Sequence, residues 1–187
     1  MATLILIRHG ETDWNIEGRY TGQSDIPLNS RGLKQAKALA SQLCETTIDA
    51  IYSSDLQRAS QTTIHIQANG DVPLHLDARL REIHQGEWEG LHFDEIHARY
   101  HQAWEQRKNA PLDVAPPGGE TVGEVRQRVL EVIREIINRH PGETIVIVSH
   151  GLALAIIQVE AKGLPIETVW DHIPSNAKPQ FLNVEQL

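Results

Sequence analysis

Two short aliphatic runs, Leu4-Ile5-Leu6-Ile7 and Ile145-Val146-Ile147-Val148, share one pattern. Runs of four apolar residues, rich in β-branched side chains and lacking polar alternation, predict strands buried on both faces, as in a parallel sheet between helix layers. Each run ends alike, in Arg8-His9-Gly10 and in Ser149-His150-Gly151. The residues that follow differ, Glu11-Thr12-Asp13-Trp14 against Leu152-Ala153-Leu154-Ala155, so the pattern indicates two chain segments converging on one site and not an internal repeat. If the strands are neighbours, His9 and His150 meet at the carboxyl edge of the sheet, where open α/β sheets bind ligands.

Between these runs the period switches repeatedly. Trp14 to Asp25 is polar and twice broken by glycine, which predicts a loop above the sheet edge; Asn15, Arg19, Thr21 and Gln23 are its hydrogen-bond donors. Leu33, Ala36, Leu39, Ala40 and Leu43 step at helical spacing behind Ser30, a candidate N-cap. Asp49 to Ser53 predicts a second strand, and Asp55 then offers a cap for a helix carrying Arg58 in its first turn. Arg58 has two readings, a surface arginine paired with Asp55 or, with the helix terminus, an attractor for a bound anion. Val72 to Leu76 predicts a third strand, followed by a loop dense in ionisable groups from Asp77 to Gly90. Within it, the alternation around Glu82 can turn that carboxylate inward, or leave it in a surface salt bridge.

Phe93, Ile96, Tyr100 and Trp104 step by three, four and four, which predicts one helix with an aromatic packing stripe, closed by the Pro-Pro-Gly-Gly loop ending at Gly119. That segment has the character of a cap inserted into the α/β order over roughly 84–118. Thr121 and Glu124 have capping-box spacing ahead of a long apolar stripe from Val122 to Ile137. After the His150 strand come a helix from Leu152 to about Ala161, a short one near Glu167 and a last strand at Gln180 to Val184. The order predicts a single three-layer α/β domain over 1–187, with a mostly parallel central sheet flanked by helices on both faces.

Composition narrows the partners. A net charge of −8 argues against a sequence-independent grip on nucleic acid or an anionic membrane, and means that an anionic substrate needs a local positive pocket. Arg8 beside His9 is such an exception. The single Cys44 cannot form an internal disulfide, no apolar run approaches a membrane span, and Met1-Ala2-Thr3 has no basic leader character. A cytoplasmic enzyme or binding protein is the expectation.

If Arg8, His9, Arg58 and His150 converge with Glu82 beside them, the result is a cationic pocket matched to a tetrahedral dianion, because guanidinium forks pair with phosphate oxygens. Paired histidines also fit a metal centre, but that wants carboxylate or thiolate ligands and is disfavoured beside arginines. In a phosphate pocket an uncharged imidazole can attack phosphorus in line and split transfer into two steps, with Glu82 as proton donor and acceptor. That role needs a carboxyl group kept protonated near neutral pH by partial burial or an anionic neighbour.

These residues also carry a resemblance. Arg8-His9-Gly10-Glu11-Thr12 resembles the signature of the histidine phosphatase superfamily, which includes cofactor-dependent phosphoglycerate mutases and many phosphomonoesterases. The likeness runs through Trp14-Asn15, Gly18 to Gly22, Ser53 to Ala59, Leu80-Arg81-Glu82-Ile83, Gly86-Glu87-Trp88-Glu89-Gly90, Pro116 to Glu120 and Ser149-His150-Gly151. The resemblance implies that His9 is the phosphorylated nucleophile and Glu82 the acid/base. It implies that Arg8, Arg58 and His150 hold the phosphate with Asn15 and Thr21 assisting, and that neither metal nor organic cofactor is needed. Ile83-His84-Gln85 departs from the mutase pattern of Arg after the acid/base Glu, and the Gly-x-Trp-Glu-Gly form looks like the phosphatase branch. The expected activity is therefore hydrolysis of a small phosphomonoester such as α-ribazole phosphate, phosphoserine or a broad range of esters. Phosphoglycerate mutation and non-catalytic phosphate or phosphoprotein binding are the alternatives, and a homodimer is compatible with any of these. Phe93, Tyr100, Trp104, His84 and Gln85 are the candidate substrate selectors on position alone.

Overall fold

In β1 (Ala2–Arg8) the side chains divide by parity, as a strand period of two requires. Leu4 and Leu6 join one buried cluster, while Ile5 and Ile7 join a second on the opposite face. A computed structural model describes residues 2–68 and 70–185. Met1, Asn69, Gln186 and Leu187, inside the expected span 1–187, lie outside the described residues.

Five strands form one sheet in the order β3-β2-β4-β1-β5, where β2 is Ala50–Ser53, β3 Leu74–Leu76, β4 Thr144–Ser149 and β5 Pro179–Val184. All neighbouring pairs are parallel except β1 with β5, which runs antiparallel at the edge. The two aliphatic runs are direct neighbours, with Arg8 in register with Ser149. Where a loop is expected from Trp14, the capping box of Thr12 and Asn15 starts a short helix, α1 (Asp13–Glu17). On one face of the sheet, residues from α2 (Ser30–Gln42) and α3 (Gln57–Gln67) pack with Ile5, Ile7, Val146 and Val148. On the other, α6 (Val122–Arg139) and α7 (Gly151–Ala161) pack with Leu4, Leu6, Ile145 and Ile147. The expected three-layer α/β fold is therefore observed.

Local expectations fared unevenly. The capping box at Thr121 and Glu124 is present. The N-cap of α2 is Asn29, whose side chain accepts from Gly32 N, and Ser30 is the first helical residue. Asp55 does not cap α3, which begins after Leu56, because its carboxylate is taken by the guanidinium of Arg81. Pro73 lacks a ladder donor and its carbonyl accepts from Ile51 N, so β3 is shorter than Val72 to Leu76. The single helix expected across Phe93 to Trp104 is two, α4 (Phe93–Arg99) and α5 (His101–Asn109), joined at Tyr100 with φ −126° and ψ 31°. The change of direction places Trp104 5.7 Å from Trp88 and 5.0 Å from Phe93 between ring centroids, and this packing outweighs the continuous period. Among the described residues no helix is long and apolar enough to cross a membrane.

Candidate active site

Parallel pairing of β1 and β4 delivers two histidines to one place. His9 N donates to Ser149 O at 3.0 Å just beyond the last register pair, and the His9 and His150 rings lie 5.1 Å apart. The turn after His9 is tight, since a Cβ on Gly10 would meet Gly32 O at 2.7 Å. Glycine is required there by the close approach of α2.

The hydrogen bonds assign the proton on each ring. His9 Nδ1 lies 2.7 Å from Gly10 O, an atom that can only accept, so Nδ1 carries the proton and Nε2 keeps its lone pair. His150 Nδ1 accepts from Arg58 Nε at 3.2 Å, so its proton sits on Nε2. Both rings are buried, and burial first, then the charge of Arg58, pushes each well below the ordinary histidine value. The imidazoles are neutral at pH 7.

Arg58 is nearly inaccessible, at 1%, in the first turn of α3, and donates to Gly22 O and Ser24 O, both at 2.7 Å, as well as to His150. Burial lowers its pKa to about 10, so it remains a cation. The reading of Arg58 as a surface arginine paired with Asp55 is thereby excluded. Arg8 donates to Pro174 O at 3.0 Å, and desolvation lowers its pKa. Three buried donors have no partner among the described residues, Trp88 Nε1 away from the cleft and the pair Arg8 Nε and His150 Nε2. Orphaned buried donors are costly, and here that pair belongs to residues lining one cleft.

Glu82 faces the same space. Its carboxylate accepts from Ile83 N at 2.9 Å and from Leu152 N at 3.1 Å in the first turn of α7. A Cβ on Gly151 would lie 3.4 Å from Glu82 Oε2 and 3.7 Å from Arg8 Cζ, so the carboxylate and guanidinium close on the glycine from two sides. The Glu82 loop is anchored from beneath by Arg128 of α6, which donates to the carbonyls of Arg79, Arg81 and Glu82 at 2.7–2.9 Å and pairs with Glu120.

The cleft, of about 220 Å³, is lined by Arg8, His9, Asn15, Thr21, Arg58, Glu82 and His150, so all seven residues singled out in the sequence are brought together. Asn15 closes a capping box with Thr12 through its Oδ1, leaving the amide nitrogen for another acceptor. Arg19, Gln85, Trp170 and Ile173 also line it. Arg19 was visible in the sequence only as one loop donor among several, and Trp170 and Ile173 carry no local signal. Arg79 and Arg81 are engaged elsewhere, with Asp77 and Glu135 and with Asp55 respectively. Of the expected selectors, Gln85 lines the cleft. His84 does not, because its ring is directed to Glu89 at 3.6 Å, and Phe93, Tyr100 and Trp104 do not either.

Two guanidiniums and a protonated Nε2 offer donors only, which suits an anion and opposes a cation. The grouping of metal-type ligands among the described residues is instead His97, His101 and Glu105, at a distance in sequence and outside this cleft.

A family model, the histidine phosphatase superfamily (branch 1), matches residues 4–186. Phosphoserine phosphatase 1 of Hydrogenobacter thermophilus is 33% identical over 186 residues, covering 100% of this chain and 88% of the relative. A probable phosphoglycerate mutase, GpmB of Escherichia coli, is 36% identical over 165 residues, 88% of this chain and 77% of the relative. The α-ribazole phosphatase of Shigella flexneri superposes with a TM-score of 0.92 at 29% identity, covering 98% and 91% of the two chains. A match spanning the chain from first strand to last, on a fold whose cleft is built for an anion, gives one assignment: the chain belongs to the histidine phosphatase superfamily, branch 1, and is a phosphatase of small phosphorylated metabolites.

Proposed function

We propose that the protein hydrolyses a phosphomonoester through a phosphohistidine on His9, within a single domain whose residues 84–118 form a cap beside the cleft. His9 Nε2 attacks phosphorus as the ester P–O bond breaks, and Glu82 gives its proton to the departing alkoxide. Glu82 then takes a proton from water, the resulting oxygen nucleophile attacks phosphorus, and the P–Nε2 bond breaks to release inorganic phosphate. Arg8, Arg58 and His150 stabilise charge on the equatorial oxygens, with Asn15 and Thr21 as further donors.

The observation that carries this reading is the pair of unpartnered donors, Arg8 Nε and His150 Nε2, beside a ring whose Nε2 is unprotonated. Isomerisation is disfavoured because Ile83, and not a second cation, follows Glu82. Phosphoserine and α-ribazole phosphate, named for the relatives, are the first esters to assay, and the lone Cys44 fits a cytoplasmic setting. The test is a panel of phosphomonoesters compared by kcat/KM, with phosphoglycerate isomerisation measured alongside. Hydrolysis of para-nitrophenyl phosphate abolished by His9→Ala is expected; no turnover by the wild-type protein would overturn the proposal in favour of a phosphate-binding module.

A further inference from the structure

A second cavity, of about 290 Å³, lies against the phosphate cleft, and the two share Gln85 and Trp170 as common wall. Its surface is of a different kind. Tyr20, Trp104, Pro111 and Trp170 supply ring faces, and Arg107 and Lys108 supply the cations, without any carboxylate. Arg107 is held in place, donating to Gln85 Oε1 at 2.8 Å and lying 5.3 Å from the centroid of Trp88. Trp104 is fixed against Trp88 and Phe93. Trp170, at 44% exposure on the turn Ile166–His172, stands at the rim of both cavities.

We propose that this annex binds the leaving group of the substrate, and that the leaving group carries a flat aromatic or heteroaromatic ring on a short linker from the phosphate oxygen. Three arguments favour that occupant. Indole and phenol faces bind rings through offset or edge contacts that add to the burial of area alone. The volume is close to the roughly 300 Å³ lower end of small-molecule sites, far more than an amino-acid or glyceryl group fills. Arg107 and Lys108 favour a ring bearing a hydrogen-bond acceptor, whereas a zwitterion such as the serine of phosphoserine meets both attraction at its carboxylate and repulsion at its ammonium and leaves the aromatic faces uncovered. Gln85, bonded to Arg107 and reaching both cavities, marks where the linker crosses.

This inference rests on the phosphomonoesterase reading of the same cleft, and two measurements separate them. The first compares 3-phenylpropyl phosphate with propyl phosphate, whose alkoxides are equally basic, so that the ratio of kcat/KM reads ring binding and not leaving-group chemistry. A ratio of tenfold or more is expected, collapsing to within twofold in Trp170→Ala and in Trp104→Leu, the latter retaining bulk should deeper truncation unfold the cap. The second is calorimetric binding of the matching non-hydrolysable phosphonates, with the same tenfold preference expected. Equal kcat/KM and equal affinity within each pair, or a preference that survives both substitutions, would overturn the annex while leaving the phosphatase intact. Inert esters with phosphonates that still differ tenfold would overturn hydrolysis and support the annex.

Discussion

His9 and His150 are buried neutral beside two cations, and this has consequences for both catalysis and stability. In the proposed mechanism a neutral His9 is the attacking form, and a depressed pKa keeps it neutral below pH 6.5. The acid limb of kcat/KM that belongs to the enzyme is therefore expected below pH 6.5. Substrate protonation, near pH 6 for a phosphate, is separated by repeating the profile with esters of different phosphate pKa. For stability the unfolded histidines bind protons below about 6.5 while the folded ones do not, so stability is whole above that pH and falls as pH drops towards the folded values. Each ring contributes a slope of up to about 1.4 kcal/mol per pH unit. Urea unfolding at pH 7 and pH 5 should show that loss, and the double variant His9→Gln/His150→Gln should flatten it. Removing the Nε2 donor by His150→Ala is expected to lower kcat about 10²–10³-fold, the usual loss for one donor at developing charge.

At the scale of elements, the site is held by backbone anchored from helices. Thr62 of α3 donates to Arg58 O at 2.7 Å and accepts from Gly10 N at 3.0 Å, tying the arginine's helix to the turn after His9. Arg128 of α6 ties down the Glu82 loop through three carbonyls. Arg128→Ala is expected to lower kcat about tenfold to a hundredfold with a smaller effect on KM, as a loosely held acid/base would. At the other end of the same stretch, Thr121→Ala removes the N-cap of α6 and should cost about 1 kcal/mol of stability in urea, with kcat/KM unchanged. These two outcomes distinguish support of the site from support of the fold.

Over the whole molecule, a chain of charge −8 places Arg8 and Arg58 in one cleft, where two donors, Arg8 Nε and His150 Nε2, have no partner among the described residues. An anion that occupies the cleft in the folded state alone must stabilise the protein by mass action. Inorganic phosphate at 100 times its Kd is worth about 2.7 kcal/mol. For a chain of this size that is a rise in Tm of about 5–10 °C by calorimetry. Arg8→Ala should reduce the shift, because one of the two orphaned donors is gone.

The aliphatic runs, the capping box at Thr121 and the two His-Gly ends were legible in the sequence because each is a local property: unbroken hydrophobicity, a three-residue spacing, a glycine after a strand. The seven cleft residues were legible because their types and order match a family. Parity alone divided Leu4 and Leu6 from Ile5 and Ile7. What the sequence could not contain is which of several available partners a given side chain takes. Whether Arg58 pairs with Asp55 or with His150 depended on Arg81 claiming Asp55. The break at Tyr100 depended on Trp104 finding Trp88 and Phe93, and the place of Trp170 on the cleft depended on a turn packed against α7. The sequence by itself determined the strands, the layers and the candidate chemistry. Only the tertiary structure decided which nitrogen of each histidine carries the proton, and what surface lies beyond the phosphate, because both are set by partners that chain order does not bring together.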